Sequence, residues 1–235
     1  MYESTKYIPA GDRAVIVEFG NGISPEINTK VRNMVKSIDN IGMEGIIGIL
    51  PTYRSVQIIY DPMVLKYSEL INAIKEMEED IANYSSTDIR IIEIPTIYGG
   101  KYGPDIEFVA KYNNLSVEDV IKIHSSTDYL VYMLGFTPGF GYLGGMSERI
   151  ETPRLEVPRV NIAAGSVGIA GKQTGIYPID SPGGWQLIGW SPLSLYNPTE
   201  NPPVLLKAGD YVRFVPIGEV EYLRSIKDGE VYDKD

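Results

Sequence analysis

The chain has 235 residues, is 43% hydrophobic and 22% charged, and sets 21 Lys and Arg against 31 Asp and Glu, a net charge of −10. That acidic balance, with no run of Lys or Arg, argues against a nucleic-acid partner. The lack of cysteine excludes disulfides, thiolate nucleophiles and cysteine metal sites, and the single histidine, His124, excludes a zinc site built from several histidines.

The length allows one or two domains. There is no basic segment followed by an apolar run at the start, and no apolar stretch near the roughly 20 residues that cross a bilayer. A cytoplasmic protein with no membrane span is expected. Residues 13–19 are rich in Val and Ile and read as a strand, closed by the turn Gly20-Asn21-Gly22. Ser24 before Pro25 and Glu26 reads as an N-cap with proline at the first helical position. Ile27, Val31, Met34, Val35 and Ile38 then recur at helical spacing. Residues 45–50 and 55–60 are further strands, and 67–81 is a second helix with Leu70, Ile74, Met77 and Ile81 along one side. The order βαββα, with room for a closing strand, predicts a small α+β domain of ferredoxin-like type over residues 1–84. The polar stretch 83–88 lacks periodicity and marks the boundary to a second domain, 85–235.

Beyond it, 89–97 reads as a strand, 98–104 as a Gly-rich loop and 105–112 as a helix. Ser116 and Asp119 have capping-box spacing at the start of another helix that carries Val120, Ile123 and His124. From Asp128 onward the chain turns to short strands broken by Gly and Pro, at 129–136, 156–160, 166–170, 173–178, 186–190 and 211–216, with a terminal helix over 219–227. Many short strands at regular spacing predict a mainly-β barrel or sandwich.

Three glycine-rich segments concentrate the unusual residues. Gly135-Phe136-Thr137-Pro138-Gly139-Phe140-Gly141-Tyr142-Leu143-Gly144-Gly145 is either a tight barrel corner plugged by Phe140 and Tyr142 or a rigid loop whose amides face a ligand oxygen. The second runs from Ala164 to Pro178 and offers Ser166, Lys172, Gln173 and Thr174 on a glycine frame. Gln173 and Thr174 can donate to and accept from a planar amide, or satisfy nearby backbone; Lys172 is a charge partner or a solvated turn lysine. In the third, Ser181-Pro182-Gly183-Gly184-Trp185-Gln186, Trp185 and Gln186 either wall a pocket or pack the barrel. His124 is a structural group at a helix end or the one imidazole available as general acid or base, with Asp128 four residues on to orient it.

Taken together, the blocks Gly135-Phe136-x-Pro138-Gly139-Phe140-x-Tyr142-Leu143, Ala164 to Pro178 and Ser181 to Gly189 resemble the signature of the carboxyltransferase subdomain C and D family, also called allophanate hydrolase subunit 1. Gly11-Asp12-Arg13-Ala14 and Ile94-Pro95-x-x-Tyr98-Gly99-Gly100-x-Tyr102-Gly103-Pro104-Asp105 fit the same family, so the resemblance spans nearly the whole chain. It implies a ferredoxin-like N-terminal domain and a cyclophilin-like C-terminal barrel. Members include B subunits of ATP-dependent 5-oxoprolinases, which open the lactam 5-oxoproline to glutamate beside a homologous C subunit and a LamB/YcsF-type A subunit. The resemblance therefore implies ATP, with Mg2+ and bound together with partners, and no biotin in this chain. It also leaves two alternatives: an inhibitor of a sporulation-type histidine kinase, after one named relative, and a carboxyltransferase-like subunit of a urea carboxylase system. The expected site has His124, Gln173 and Lys172 in catalytic roles, with Gly139, Phe140, Tyr142, Ser166, Thr174, Tyr177, Gly184, Trp185 and Gln186 around the substrate. Relatives carry Arg-Thr-Pro where this chain has Trp190-Ser191-Pro192, so an arginine suited to a carboxylate is absent there, and Lys172 falls at a variable position.

Overall fold

The computed structural model describes residues 2, 4–81, 89–135 and 137–222. The chain divides into two compact units, Met1–Ile89 and Arg90–Asp235. The expected boundary at 84/85 lies outside the described residues.

The first unit holds an antiparallel sheet of four strands, β1 (Lys6–Pro9), β2 (Ala14–Glu18), β3 (Ile46–Pro51) and β4 (Ser55–Tyr60), which lie in the order β1-β2-β4-β3. Alternate residues of the inner strands, Val15 and Val17, Val56, Ile58 and Tyr60, are buried. They pack on Val31, Met34 and Ile38 of α1 (Pro25–Ile41) and on Leu70, Ile74 and Met77 of α2 (Tyr67–Ile81). The two periodicities, 2 along the strands and 3.6 along the helices, thus close one core. The Ser24 hydroxyl accepts the Ile27 N–H at 3.3 Å, and α1 stops at Gly42, whose left-handed φ of 59° lets its N–H reach the Ile38 carbonyl. Strand β1 is missing from the sequence reading. It is four residues long, largely exposed and ends in Pro9, so Tyr7 and Ile8 are too short a run, with no buried alternation, to betray it; pairing with β2 makes it.

The second unit holds a sheet of seven strands: β5 (Ile91–Tyr98), β6 (Asp128–Leu134), β7 (Gly141–Gly144), β9 (Ser166–Ala170), β10 (Gln173–Ile176), β12 (Gln186–Trp190) and β13 (Tyr211–Pro216). They lie in the order β10-β9-β12-β5-β13-β6-β7. All neighbours are antiparallel except β5 and β13. The end strands β10 and β7 lie against each other, so the sheet is a nearly closed barrel. Inward residues such as Ile94, Tyr129, Val131, Val167, Ile169, Ile176, Ile188 and Phe214 fill it. Helices α3 (Ile106–Tyr112) and α4 (Val117–Ser125) cap that core with Ile106, Val109 and Val120. The predicted capping box of α4 is present: the Ser116 hydroxyl accepts the Asp119 N–H at 3.0 Å and the Asp119 carboxylate accepts the Ser116 N–H at 3.3 Å.

Several local expectations change. The stretch expected as a glycine loop over 135–145 contains β7, which pairs with β6. The predicted strand at 156–160 begins only at Arg159, as β8 (Arg159–Ile162). It pairs with β11 (Ser181–Gly183), a segment whose Pro and Gly suggest a turn, in a separate two-stranded sheet. Phe136 and most of the predicted terminal helix 219–227 lie outside the described residues; 219–222 are helical.

Candidate functional site

His124 sits in the last turn of α4 and points into the barrel. It is fully buried, with its ring centroid 4.4 Å from that of Phe214 and 5.5 Å from that of Tyr129. Both ring nitrogens are engaged: Nδ1 lies 2.7 Å from the Tyr98 hydroxyl and Nε2 lies 2.7 Å from the Thr174 hydroxyl. Thr174 Oγ1 also donates to the Gly168 carbonyl at 3.0 Å. A hydroxyl has one proton, so Thr174 must accept from Nε2–H, and Nδ1 must accept from Tyr98. The chain of donors is complete only for a neutral imidazole, and burial pulls the His124 pKa down to about 3. The expected acid–base role is therefore corrected: no part of the ring reaches the surface, and neither nitrogen is available to a ligand. Asp128 does not orient it; its carboxylate holds Arg213 at 2.7 and 2.8 Å.

The other expected catalytic groups are also elsewhere. Lys172 is an exposed residue of the β9–β10 turn, 2.7 Å from Glu148 and 3.9 Å from Glu151, which places it in a surface ion pair rather than a cleft. Gln173 opens β10, half-buried, opposite Ala170. Thr174, expected at the substrate, is buried against His124 instead. Ser166 is buried at the start of β9, and its carbonyl accepts the Tyr177 N–H at 2.9 Å.

The structure does bring four of the expected aromatic and substrate residues together. Phe140, Tyr177 and Trp185, with Ile162, Ala170 and Leu187, form a small apolar cluster separate from the barrel core. Ring centroids lie 5.6 Å apart for Phe140–Trp185, 6.1 Å for Tyr177–Trp185 and for Phe140–Tyr177, and 5.4 Å for Phe140–Tyr142, all edge-on. Such T-shaped contacts are the favoured aromatic geometry. The floor is made of two glycines, Gly168 and Gly175, directly opposite each other on β9 and β10. A Cβ on Gly168 would stand 3.2 Å from Trp185 Cβ, and one on Gly175 would stand 3.2 Å from the Trp185 ring. Gly139 is buried in a left-handed turn (φ 82°) beside this cluster, where a Cβ would lie 3.1 Å from Pro178.

Polar groups border the aromatic patch. The Gln186 amide donates to the Pro153 carbonyl at 2.9 Å, and the Gly184 carbonyl accepts the Leu155 N–H at 2.7 Å. Arg159 pairs with Asp105 at 2.7 Å and donates to the Trp185 carbonyl at 3.3 Å, while the second Asp105 oxygen accepts the Leu187 N–H at 2.6 Å. Burial raises the Tyr177 hydroxyl pKa; a main-chain bond at Trp185 and the charges of Arg154 and Arg159 oppose that rise. Arg154 and Arg159 escaped the sequence reading, and Tyr98 and Asp105 entered it only as letters of a motif. No local pattern joins Asp105 to Arg159, 54 residues apart. Chemically, the arrangement presents the edges of planar rings, main-chain polar groups and guanidinium charge at one rim.

Fold and site together define a two-unit protein: a small helix-covered sheet and a β-barrel bearing a glycine-floored aromatic cluster on its outer face. The chain belongs to the family described as carboxyltransferase domain, subdomain C and D, which matches residues 5–206. It is 49% identical over 223 residues to a Bacillus subtilis (strain 168) protein named as the B subunit of 5-oxoprolinase, covering 90% of this chain and 92% of that one. It is 40% identical over 207 residues to the Escherichia coli O157:H7 protein of the same name, covering 88% and 93%. Among solved structures it is similar to TTHA0988, with a TM-score of 0.77 and 35% identity over 88% of this chain and 40% of that one.

Two outcomes follow from this geometry. Because the fold holds His124 neutral, its full stabilisation is present above the unfolded-state pKa of about 6.5, and it is lost as pH falls toward the folded value of about 3. Urea unfolding at pH 7.5, 6 and 5 should show stability falling by up to about 1.4 kcal/mol per pH unit below 6.5 from this residue; His124→Gln should flatten that slope and lower stability at pH 7.5. Gly175→Val should cost about 1–3 kcal/mol by overpacking and shift tryptophan emission, while an unchanged urea midpoint would show that Trp185 does not rest on that strand.

Proposed function

We propose that the chain is the B subunit of an ATP-dependent 5-oxoprolinase, a hydrolase that opens the lactam of 5-oxo-L-proline to L-glutamate. The observation that carries this reading is the near full-length similarity to proteins of that name. The aromatic cluster adds to it, since planar rings with hydrogen-bonding groups at their rim suit a small planar amide with a polar edge.

A lactam amide resists water because its nitrogen lone pair is shared with the carbonyl. In the proposed reaction its carbonyl oxygen takes the γ-phosphoryl group of ATP and ADP leaves; one water adds to the activated carbon and the ring C–N bond breaks, leaving the amine and an acyl phosphate, and a second water then releases phosphate to give the amino acid. The chain's own part is to orient the ring, exclude water from its faces and supply main-chain donors. Among the described residues no group of three or more His, Asp or Glu could hold a metal ion. The reading keeps Mg2+ with the nucleotide, bound together with partner subunits, a homologous C subunit and a LamB/YcsF-type A subunit. No helix among the described residues is long and apolar enough to cross a membrane. The same kinship supports reading the first unit as ferredoxin-like, with β1 in the place of the closing strand, and the second as a cyclophilin-like barrel.

The family description favours one second reading, a carboxyltransferase-type subunit that handles a ureido ring, which is also a planar cyclic amide. Purifying the chain with both partner subunits and following glutamate release separates the two. ATP-dependent conversion of 5-oxoproline by the assembly, absent when this chain is omitted, is the expected result. A folded, complete assembly that releases no glutamate would sink the proposal.

A further inference from the structure

The charges of two arginines, Arg154 and Arg159, reach the Tyr177 hydroxyl at one end of the aromatic cluster, and only Arg159 is committed to a carboxylate. Arg159 is held by Asp105 at 2.7 Å and by the Trp185 carbonyl at 3.3 Å. Arg154 is exposed, and among the described residues no carboxylate forms an ion pair with it. Its main chain is nonetheless fixed on both sides. The Pro153 carbonyl accepts from Gln186 at 2.9 Å, the Leu155 N–H donates to Gly184 at 2.7 Å, and Thr152 bridges to Gly171. Position 154 is thus pinned to the rim that Gln186 and Gly184 form next to Trp185. The Tyr177 hydroxyl lies at the same rim, close enough to Gly183 that a Cβ there would fall 2.2 Å from it.

We infer that Arg154 and the Tyr177 hydroxyl form a carboxylate-binding edge of the aromatic cluster, suited to a small ring acid whose apolar body meets the aromatic side chains. Resting on the function proposed above, the inference makes that acid 5-oxoproline and Arg154 the residue that fixes the lactam by its free carboxylate. An exposed guanidinium offers parallel N–H donors that match a carboxylate's two oxygens. Tyr177 keeps its proton, because burial disfavours the phenolate, and so donates. Arg159 and Asp105 cancel, whereas Arg154 adds a positive charge with no ion-pair partner among the described residues, in a chain whose net charge is −10. A monoanion matches that charge, and a triphosphate exceeds it.

The test uses the three-subunit assembly. Arg154→Gln should raise KM for 5-oxoproline about tenfold or more while kcat changes less than about threefold, the pattern of lost ground-state binding. Arg154→Lys should recover part of the loss, and Tyr177→Phe should raise KM in the same direction. Binding of 2-pyrrolidinone, the same lactam without the carboxylate, should not respond to Arg154. A wild-type KM in Arg154→Gln overturns the inference. If the wild-type assembly is inactive, the proposed function falls instead. Tryptophan fluorescence titrations of that assembly with 5-oxoproline, 2-pyrrolidinone and ATP then decide the inference alone. A saturable 5-oxoproline signal lost in Arg154→Gln upholds it; no signal, an unaltered signal in the variant, or an ATP signal that follows Arg154 overturns it.

Discussion

The barrel is organised around one neutral imidazole. Tyr98 on β5 donates to His124, His124 on α4 donates to Thr174 on β10, and Thr174 donates to the Gly168 carbonyl on β9. The Tyr129 hydroxyl on β6 donates to the His124 carbonyl at 2.8 Å. One short chain of polar groups thereby fixes a helix to four strands inside an apolar core. In such surroundings each group left unpaired costs about 1–3 kcal/mol, so the network tolerates one arrangement. It also sets register. Sliding β10 by one residue would turn Thr174 outward and put Gly175 against the imidazole.

That register explains how one short motif serves two faces. Along Gln173-Thr174-Gly175-Ile176-Tyr177 the residues alternate: Thr174 and Ile176 enter the barrel, Gly175 and Tyr177 face the outer cluster. Strand β9 does the same, with Val167 and Ile169 inside and Gly168 and Ala170 outside. The outer face of this sheet pair is therefore nearly smooth, and Trp185 lies on it. The glycines are needed for the aromatic cluster, not for loop freedom, and the inward hydrogen bonds hold the floor flat.

Elements with a clear period were legible in the sequence. Helices α1 and α2, strands β4, β9, β12 and β13 and the capping box at Ser116 all carry their signal within a few residues. Strands β1, β7 and β11 have three or four residues, and Gly and Pro weaken any alternation in them. Their structure comes from a partner strand, which no local window contains. For the site, the gathering of Phe140, Tyr142, Tyr177 and Trp185 followed from reading the three blocks jointly. What the blocks hid was direction: Thr174 and Gly175 are adjacent letters on opposite faces of a sheet. Lys172 looked functional because it stands among glycines, yet Gly171 (φ 58°) makes the turn that carries it to Glu148. His124 was open to either reading until burial decided between them.

The buried imidazole has a consequence for chemistry. With no cysteine and its one histidine locked in the core, the chain lacks the side chains whose ordinary pKa lies near neutrality. Tyr177, Tyr98 and Tyr129 are pushed further from neutrality by burial. The charged groups that act on the Tyr177 end of the aromatic cluster include Arg154 and Arg159, the latter paired with the carboxylate of Asp105. Such a surface can bind, orient and neutralise an anion, but it offers little to take a proton from water at neutral pH. On the proposed reading, proton transfer and phosphoryl transfer then fall to another subunit, and this chain acts by holding the lactam in place. A subunit that supplies geometry rather than acid–base groups gains from a rigid floor, and the neutral hydrogen-bonded core beneath Trp185 supplies one whose protonation does not change anywhere near neutral pH.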